Sequence, residues 1–437
     1  MYILLLVVLT WTLFAYTPAT ADDSTENRDA YQQLETFANI LNLLQEQYVD
    51  EIDTEEVITG AIKGMLSALD PHSAYMSSED FADLQEETQG SFNGIGLEIT
   101  IRDNVLTVIT PIEGSPAAKK GIQPGDQIIR INGEITKNLS LMEAVQKLRG
   151  FKGTTVVLSI YRKAWQGMRD IELERDTIPL QSVRSFELEP GILYMRISHF
   201  QATTTRDFRQ QLNQAKKKKP IQGMVLDLRN NPGGLLDQAV KISDIFINQG
   251  LLVSTRGRHG QEQMTYEAHS TGSENTYPLV VLVNDGSASG AEIVAGALQD
   301  HKRAIILGTS TFGKGSVQTV LPIPGGAGIR LTTARYYTPS GDSIQATGIQ
   351  PDLTVPFNKA ESQKETDQQE NHIKEKDLPG HFVNDAKADD RPSDDTQELE
   401  LNKEQEAQAL AARRLAQDNQ LRTALFIIKS LTLVGSR

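Results

Sequence analysis

Two serines in a run of small residues are the clearest candidates for chemistry in this chain. The segment from Val281 reads VLVNDGSASGAEIVAGALQD, in which an apolar strand leads through a tight turn to a helix that begins near Gly290. Ser289 stands at the junction, where its hydroxyl lies beside backbone N–H groups that can receive an anion. Ser287 and Ser289 can equally cap the helix, and the turn taken alone favours that simpler interpretation.

A lysine among small residues is the matching candidate for a base. The segment from Gly308 reads GTSTFGKGSVQ, which places Lys314 between two apolar strands. Burial disfavours the charged form of a lysine, and a neutral lysine can take the proton of a serine hydroxyl. The alternative is a loop lysine paired with an acid, and the sequence does not decide whether Lys314 is buried.

The same segment imitates a phosphate-binding loop. Gly308, Gly313 and Lys314 fit the pattern G-x-x-x-x-G-K, but the next position holds Gly315 where magnesium needs a serine or threonine. The residues that follow predict a strand and not the required helix. Nucleotide binding is therefore disfavoured.

A third glycine-rich segment, LDLRNNPGG, ends at Gly233 and Gly234. Glycines let the backbone approach a ligand closely, so the Gly233 N–H is a candidate oxyanion donor, although an ordinary tight turn explains the pair equally well.

The histidines show no zinc-binding spacing. His301 falls about 18 Å along the helix from Ser289, too far for a base, which leaves His199 as the rival.

The elements that must position these residues alternate in type. From Ile192 to Pro356 strands and helices alternate, which predicts an α/β core. From Gly90 to Arg175 short strands and glycine turns surround one helix, Leu141 to Leu148, which predicts a mainly-β unit. Before it, Asn27 to Leu69 predicts two apolar-faced helices broken near Asp50, which must cover a neighbouring domain or a second subunit.

The two ends of the chain differ from this core. Leu4 to Phe14 is an apolar run of signal-peptide length followed by Ala19-Thr20-Ala21, so we expect cleavage after Ala21, with an uncleaved interfacial anchor as the alternative. No Lys or Arg precedes the apolar run. Residues 358–398 are acidic and poor in apolar residues, which predicts a disordered linker. Gln405 to Val434 again predicts a helix, apolar enough to dock or to oligomerise.

Composition excludes several classes of function. The 437 residues carry a formal net charge of −14, which argues against a nucleic-acid partner. There is no cysteine, so thiol catalysis, disulfides and thiolate metal sites are excluded.

With these residues in hand, the chain resembles the carboxyl-terminal processing peptidases, also called tail-specific proteases, from about Leu41 to Val355. The resemblance is carried by LDPHSAYM, LDLRNNPGG, GSASGAE, TFGKGSVQ and TTARYYTPSGDSIQATGIQPD, in that order. It implies an α/β protease core of strand–turn–helix units, similar to the crotonase and Clp folds, with an inserted mainly-β PDZ domain and helices at both ends.

The resemblance also implies roles for individual residues. Ser289 matches the family's nucleophile, Lys314 its base and Gln318 a glutamine that supports the base. The backbone groups of Gly290 and Gly233 match the oxyanion donors. Many members have alanine where this chain has Gly290, which we expect to alter only the rigidity of the turn.

The PDZ domain implies recognition of a substrate's C-terminus, and its loop residues Gly94, Ile95, Gly96 and Leu97 resemble a carboxylate-binding loop. A peptide could then add as a strand beside Glu98 to Ile101. The alternative is a PDZ domain that only braces the fold. Arg149, at the end of the predicted helix, is a candidate interdomain gate.

These inferences predict six segments: 1–21 signal peptide, 22–89 N-terminal helical region, 90–175 PDZ domain, 176–357 serine protease core, 358–398 acidic linker and 399–437 C-terminal helix. The predicted function is a serine endopeptidase that needs no metal or cofactor and cleaves exported or periplasmic proteins at or near their C-termini. We expect it in the bacterial periplasm or peripheral at the membrane. Expected partners are substrates with free C-termini, an activating adaptor and at least one further copy of the chain, held through the terminal helices.

Two other classes of function remain open at this point. The chain could be an inactive PDZ scaffold that binds tails without cutting them. It could also transfer acyl groups on small molecules, because similar turn geometry serves other chemistries.

Overall fold

The computed structural model describes residues 23–102, 104–137, 139–258, 263–269, 274, 276–358 and 409–435. The predicted signal peptide and nearly all of the predicted acidic linker lie outside these residues. The chain separates into two units, Met1–Pro71 and His72–Arg437. Among the helices that the structure describes, none combines the length and the apolar content needed to cross a bilayer.

The first unit contains two helices, α1 (Asp23–Gln47) and α2 (Thr54–Ser67), with the break between them where the sequence predicted it. Asp53 caps α2, since its carboxylate accepts hydrogen bonds from the N–H groups of Glu55 and Glu56 at 2.8 and 3.3 Å. Along α1 several apolar side chains are exposed: Leu34, Phe37, Ile40, Leu43 and Leu44.

The second unit contains a mainly-β domain whose sheet has the strand order β3-β4-β5-β7-β8, with β6 beside β5. The strands are β3 (Leu97–Arg102), β4 (Val105–Pro111), β5 (Gln127–Ile131), β6 (Glu134–Ile135), β7 (Thr155–Tyr161) and β8 (Met168–Glu174), with the helices α4 (Pro116–Lys119) and α5 (Leu141–Leu148). Helix α5 has the predicted bounds. Strand β8, which the sequence did not predict, pairs with β7 along its whole length.

A short two-stranded sheet marks where the chain enters and leaves this domain. β2 (Ser91–Gly94) pairs antiparallel with β9 (Asp176–Pro179), so the two connections run side by side. The domain is therefore an insertion into the chain of the second unit.

The α/β core is built on a six-stranded sheet with the order β10-β11-β12-β15-β16-β19, in which only β10 is antiparallel to its neighbour. The strands are β10 (Val183–Glu189), β11 (Ile192–Ile197), β12 (Gly223–Asp227), β15 (Leu279–Val283), β16 (Ile305–Gly308) and β19 (Leu353–Thr354). Parallel strands bring their carboxyl ends to one edge, and the glycine turn follows β12 there while the serine turn follows β15.

Helices cover both faces of this sheet. On one face α6 (Thr204–Lys218), α7 (Leu236–Phe246) and α8 (Gly290–Asp300) pack against alternate strand residues such as Leu226 and Val281. On the other face α9 (Asn419–Gly435) packs against the intervening residues, including Val225 and Val280. The alternation follows from the two-residue period of a strand, and burial on both sides explains why these strands read as continuous apolar runs.

A second, antiparallel sheet lies in the same unit and carries the segment after the lysine. Its strands are β1 (Ala74–Met76), β13 (Leu251–Gly257), β14 (Met264–Glu267), β17 (Ser316–Pro322) and β18 (Gly328–Tyr337). Helix α3 (Ser78–Gln89) follows β1 and begins with a reciprocal cap between Ser77 and Asp80. The sequence predicted β17 and β18 but neither α3 nor β13.

Candidate active site

The two serines of the turn after β15 have different environments. Ser287 is completely buried, and its hydroxyl donates to the Leu228 carbonyl at 2.8 Å and accepts from the Asn284 N–H at 3.0 Å. Ser289 is 9% exposed and stands immediately before α8. The hydroxyl of Ser287 is thus occupied in holding the turn, which leaves Ser289 as the candidate nucleophile of the pair.

The backbone of Ser289 is strained. Its φ of +52° and ψ of −112° lie outside the regions that side-chain-bearing residues normally occupy. Such strain persists only where the surroundings hold it in place, and it is concentrated at functional sites.

The buried carboxylate of Glu292, in the first turn of α8, is the main contact that holds this conformation. Its Oε2 accepts from the backbone N–H of Ser289 at 2.7 Å and from that of Lys314 at 2.9 Å. Its Oε1 accepts from the Thr311 hydroxyl and the Gly313 N–H, both at 2.6 Å. One carboxylate therefore joins the serine turn to the lysine loop.

The lysine loop, residues 309–315, is also fixed by the backbone. The Phe312 N–H donates to the Ser287 carbonyl at 3.0 Å, a second link to the serine turn. Gly315 lies so close to Gln345 that an added Cβ would stand 2.4 Å from its backbone nitrogen. Lys314 itself is half-buried. Glycine is required on both sides of the lysine because the loop lies against other backbone.

Gln318 lies on β17, four residues beyond the lysine. Its Nε2 donates to the Thr332 hydroxyl on β18 at 2.7 Å. Its Oε1 is buried and has no hydrogen-bond partner in the described part of the chain. A buried acceptor without a partner is costly, which makes this oxygen available for a donor such as an amine.

Tyr336 on β18 is a neighbour of Ser289 that the sequence did not single out. Burial raises the pKa of Tyr336 to about 12, the nearby Tyr266 adds to the rise, and a hydrogen bond with the Ser289 side chain opposes it. The tyrosine is therefore neutral at physiological pH and can donate or accept a hydrogen bond at the serine.

The two candidate oxyanion donors, Gly290 and Gly233, differ in their surroundings. Gly290 begins α8 and packs against Phe200 and Ala239. Gly233 lies against the serine turn, since an added Cβ would stand 2.7 Å from the Ser289 Cβ, but its N–H donates to the Asn231 side chain at 2.9 Å. The glycine turn is thus in place beside Ser289, with one of its donors occupied within the turn.

The rings of the rival His199 and of His301 contact other groups in the structure. The ring of His199 contacts the Ser198 hydroxyl at 3.0 Å and the Gln201 side chain at 2.6 Å. His301 follows the end of α8, where its Nε2 contacts the Leu251 carbonyl at 2.7 Å. Both rings are engaged elsewhere.

Comparisons with known proteins identify the family. Residues 191–355 match the model of peptidase family S41, residues 83–161 that of the PDZ domain, and residues 12–80 that of the activating protease CtpB N-terminal domain. The carboxy-terminal-processing protease of Bartonella bacilliformis is 43% identical over 365 residues, which are 83% of this chain and 83% of that protein. The chain belongs to the carboxy-terminal-processing proteases of peptidase family S41.

Other relatives are similar to the chain at lower identity. The carboxyl-terminal-processing protease of Synechocystis is 39% identical over 322 residues, covering 72% of this chain and 74% of that protein. A solved photosystem II D1 C-terminal processing protease is 31% identical and covers 73% of this chain and 92% of its own, with a TM-score of 0.43. Family membership makes this chain a serine peptidase that carries a PDZ domain.

In this S41 protease the predicted carboxylate-binding loop leads into β3, the edge strand of the PDZ sheet. Ile95 is buried, and the Gly96 carbonyl accepts from the Ile112 N–H at 2.9 Å and the Ser115 hydroxyl at 3.1 Å. A cavity of about 330 Å³ is lined by residues of β3 and β4 and by those preceding α5: Ile101, Asn104, Leu106, Thr136, Lys137, Leu139 and Ser140. Among the described residues β3 pairs only with β4, so its other edge can accept a further strand.

Arg149 ends α5 of the PDZ domain and lies against α3. Its guanidinium is 2.5 Å from the Asp83 carboxylate and 3.7 Å from that of Glu86, and it stacks over the Phe92 ring. The structure thus places this candidate gate at the contact of the PDZ domain with α3.

Glu292 is the most important site residue that the sequence analysis did not identify. One signal was present: Glu292 is the single charged residue within the apolar part of α8, GAEIVAGAL. A charge in such a helix needs buried partners, so its position predicts a polar network at the helix start. Which partners it finds depends on the lysine loop, which is distant in sequence.

Proposed function

We propose that this protein is a serine endopeptidase that cuts exported or periplasmic proteins at or near their C-termini through a Ser289–Lys314 dyad. The observation that carries the proposal is the Glu292 carboxylate, because a single oxygen accepts the backbone N–H groups of both residues. A bond of this kind fixes the spacing of the two loops before any substrate binds, which is the preorganisation that nucleophilic catalysis needs.

The reaction that this dyad supports is acyl transfer. Neutral Lys314 takes the proton of the Ser289 hydroxyl, and the serine oxygen attacks the carbonyl carbon of the peptide bond. Lys314 then gives the proton to the leaving amine, and water hydrolyses the acyl-enzyme. No metal ion or cofactor enters these steps.

The negative charge that develops on the carbonyl oxygen needs donors. The N–H groups of Gly290 and Gly233 serve this purpose, each at about 3–4 kcal/mol of transition-state stabilisation. Gly233 first has to exchange its bond to the Asn231 side chain for one to the substrate. We therefore infer a small adjustment of the glycine turn when substrate binds.

Gln318 orients the base in this proposal. Its buried Oε1 has no other partner among the described residues and can accept a hydrogen bond from the Lys314 amine. Its Nε2 is held by Thr332, which fixes the direction of the oxygen.

The PDZ domain recognises the substrate's C-terminus and gates the site. The support is the exposed edge of β3 and the loop Gly94 to Leu97 that precedes it. A substrate tail would add as a strand at this edge and place its carboxylate at the loop. Movement of the PDZ domain would change the contacts of Arg149, through which binding is transmitted.

The remaining features complete the proposal. The proposed domain boundaries are those of the six segments predicted from the sequence. The chain is exported and lies in the periplasm or peripheral at the membrane. The exposed apolar side chains of α1 support association of at least two copies through the terminal helices. An activating adaptor would act on the gate.

The test is cleavage of a disordered protein by the purified chain and by Ser289→Ala and Lys314→Ala. Both variants should lose cleavage while keeping the circular dichroism spectrum and unfolding temperature of the parent. Lys241→Ala is the matched control, because Lys241 is exposed and pairs with Asp237 on its own helix. Full activity in either dyad variant refutes the assignment.

The same experiment separates the other two classes of function. An intact parent that binds tails but cleaves no protein, and that no serine-reactive probe labels at Ser289, indicates a scaffold. Turnover of a thioester without proteolysis indicates acyl transfer on small molecules.

A further inference from the structure

The segment that precedes α9 contacts the core close to the glycine turn. The guanidinium of Arg229, two residues beyond β12, donates to both carboxylate oxygens of Asp418 at 3.1 and 2.7 Å. It also donates to the Gln420 side-chain oxygen at 2.8 Å. These contacts join residues 189 and 191 positions apart, so the segment is held to the core by specific polar bonds as well as by the apolar face of α9.

Arg229 depends on these bonds because it is nearly buried. It also pairs with Asp227, which is fully buried, at 2.6 Å. Burial alone would lower the pKa of Arg229 and raise that of Asp227, but their mutual attraction outweighs burial and shifts both in the opposite directions. Both groups are therefore charged, and removing a partner from such a network leaves a buried charge that must find another contact.

The same arginine fixes the start of the glycine turn. The backbone N–H of Arg229 donates to the Asp227 carboxylate at 2.9 Å, and its backbone carbonyl accepts from the Arg196 guanidinium at 3.1 Å. Gly233 follows four residues later and contacts Ser289. A change in the position of Arg229 is transmitted over this short distance to the candidate oxyanion donor.

Gln420 is fixed from its other end as well. Its Nε2 donates to the Val355 carbonyl at 2.7 Å, just beyond β19. Asp418 in turn accepts from the Leu421 N–H at 2.9 Å and so caps the first turn of α9. The position of both partners of Arg229 is thus set by the docking of α9.

We propose that Asp418 and Gln420 are positioning residues for the peptidase reaction, which hold Arg229 and through it the oxyanion turn. The C-terminal segment then contributes to catalysis although it touches neither the substrate nor the reacting atoms. This inference rests on the proposed function.

The test is the full chain with Asp418→Asn. Asparagine still caps α9 but loses the charge and presents an amide donor to the guanidinium. We expect kcat for a disordered substrate to fall by at least about tenfold, with KM within about twofold, because loosening an oxyanion donor affects the transition state and not substrate binding. Affinity for a peptide aldehyde, whose serine adduct places an oxygen in the oxyanion position, should fall by a similar factor.

Lys429→Ala is the matched control. Lys429 lies on α9 and pairs with Glu189 at 2.7 Å, but this ion pair is exposed and includes none of the bonds that hold Arg229. It should leave kcat, KM and aldehyde affinity as in the parent. If Asp418→Asn does not fold, Gln420→Ala replaces it, with the same expectation and the same control.

A double-mutant comparison tests whether the effect passes through Arg229. In an Arg229→Lys background, Asp418→Asn should lower kcat little further, because the two substitutions remove the same interaction. Additive losses would overturn the proposal.

The outcomes separate this inference from the proposed function. A folded Asp418→Asn or Gln420→Ala chain with the parent's kcat overturns the positioning role alone, provided that Ser289→Ala is inactive. A parent that cleaves nothing, or an active Ser289→Ala, overturns the proposed function instead.

Discussion

At the scale of single residues, Glu292 has an unusual number of partners for one side chain. Its two oxygens accept four hydrogen bonds from the serine turn and the lysine loop. A carboxylate suits this position because it offers acceptors only, whereas an amide has one acceptor and one donor group.

This difference predicts the effect of Glu292→Gln. The amide nitrogen would face N–H or O–H donors, so we expect a loss of about 1–3 kcal/mol in the free energy of unfolding. Cleavage should fall by more than about tenfold, because the spacing of Ser289 and Lys314 is no longer fixed. Urea unfolding and a cleavage assay measure the two effects. Glu134→Gln, on an exposed strand, should change neither, and unaltered activity in Glu292→Gln would contradict the argument.

Gly233 provides a second prediction at this scale. Its φ of +103° disfavours any side chain, and an added Cβ would stand 2.7 Å from the Ser289 Cβ. Gly233→Ala should therefore displace the serine turn and abolish cleavage.

The control is Gly341→Ala, since Gly341 has a similar φ of +91° but open space around its Cβ position. It should share the cost of the backbone strain, about 1–2 kcal/mol, and keep most of the activity. If the two variants lose activity equally, contact with Ser289 is not the reason for the glycine.

Sequence patterning placed candidate site residues on their elements where these lie in short, ordered segments. Strand–turn–helix patterning located Ser289 between β15 and α8, and the strand on each side located Lys314. Glu292, Tyr336 and Asp418 were not found, because each has a partner in a segment far away in sequence. Nor does local patterning show that Gly233 donates to the Asn231 side chain.

At the scale of elements, α9 docks on its own chain, which is one of the two roles that the sequence predicted for this helix. Its apolar face packs on the sheet of its own chain. Gly223 on β12 permits the close approach, since an added Cβ would stand 2.2 Å from an Ile428 methyl group. The predicted helix is interrupted at Asp418, where the contact with Arg229 is made.

Packing of α9 predicts unequal effects of two substitutions on the same helix. Ile428 is fully buried, so Ile428→Ala should cost about 2–4 kcal/mol in the free energy of unfolding. Phe426 is 72% exposed, and Phe426→Ala should change stability by less than about 0.5 kcal/mol in a single chain. Urea unfolding at low protein concentration compares them. Equal costs would show that the face of α9 bearing Phe426 is covered as well.

Several of the elements that the sequence did not predict lack a strong apolar period. In α3 no side chain is buried, so its sequence carries little helical patterning apart from its cap. Strand β10 is an edge strand with a bulge, and β8 alternates only weakly. The central strands were predicted because burial on both faces makes them uniformly apolar.

At the scale of the whole molecule, the PDZ domain is inserted through the paired strands β2 and β9, and the loop proposed to bind a carboxylate begins at the last residue of β2. Binding at the loop is therefore adjacent to the connection with the core. Gly96 in this loop has a φ of +74°, and an added Cβ would stand 2.3 Å from the Ser115 Cβ. The loop depends on the absence of a side chain there.

This geometry predicts how Gly96→Ala affects tail binding. In the Ser289→Ala background, which prevents cleavage, a fluorescent peptide with a free C-terminal carboxylate should bind the chain with Gly96 intact, and the amidated peptide should bind much more weakly. Gly96→Ala should weaken binding of the free-carboxylate peptide by at least about tenfold, because the loop's N–H groups lose their alignment. Fluorescence anisotropy measures the affinities.

Gly114→Ala is the control within the same domain, because Gly114 has a φ of +76° and nothing near its Cβ position. It imposes the same backbone strain without the collision with Ser115, so tail affinity should stay within about threefold of the parent. Equal affinity for the free and amidated peptides would mean that the PDZ domain braces the fold and reads no carboxylate. If both glycine substitutions weaken tail binding equally, the cause is a loss of domain stability, because only Gly96→Ala adds a collision with Ser115.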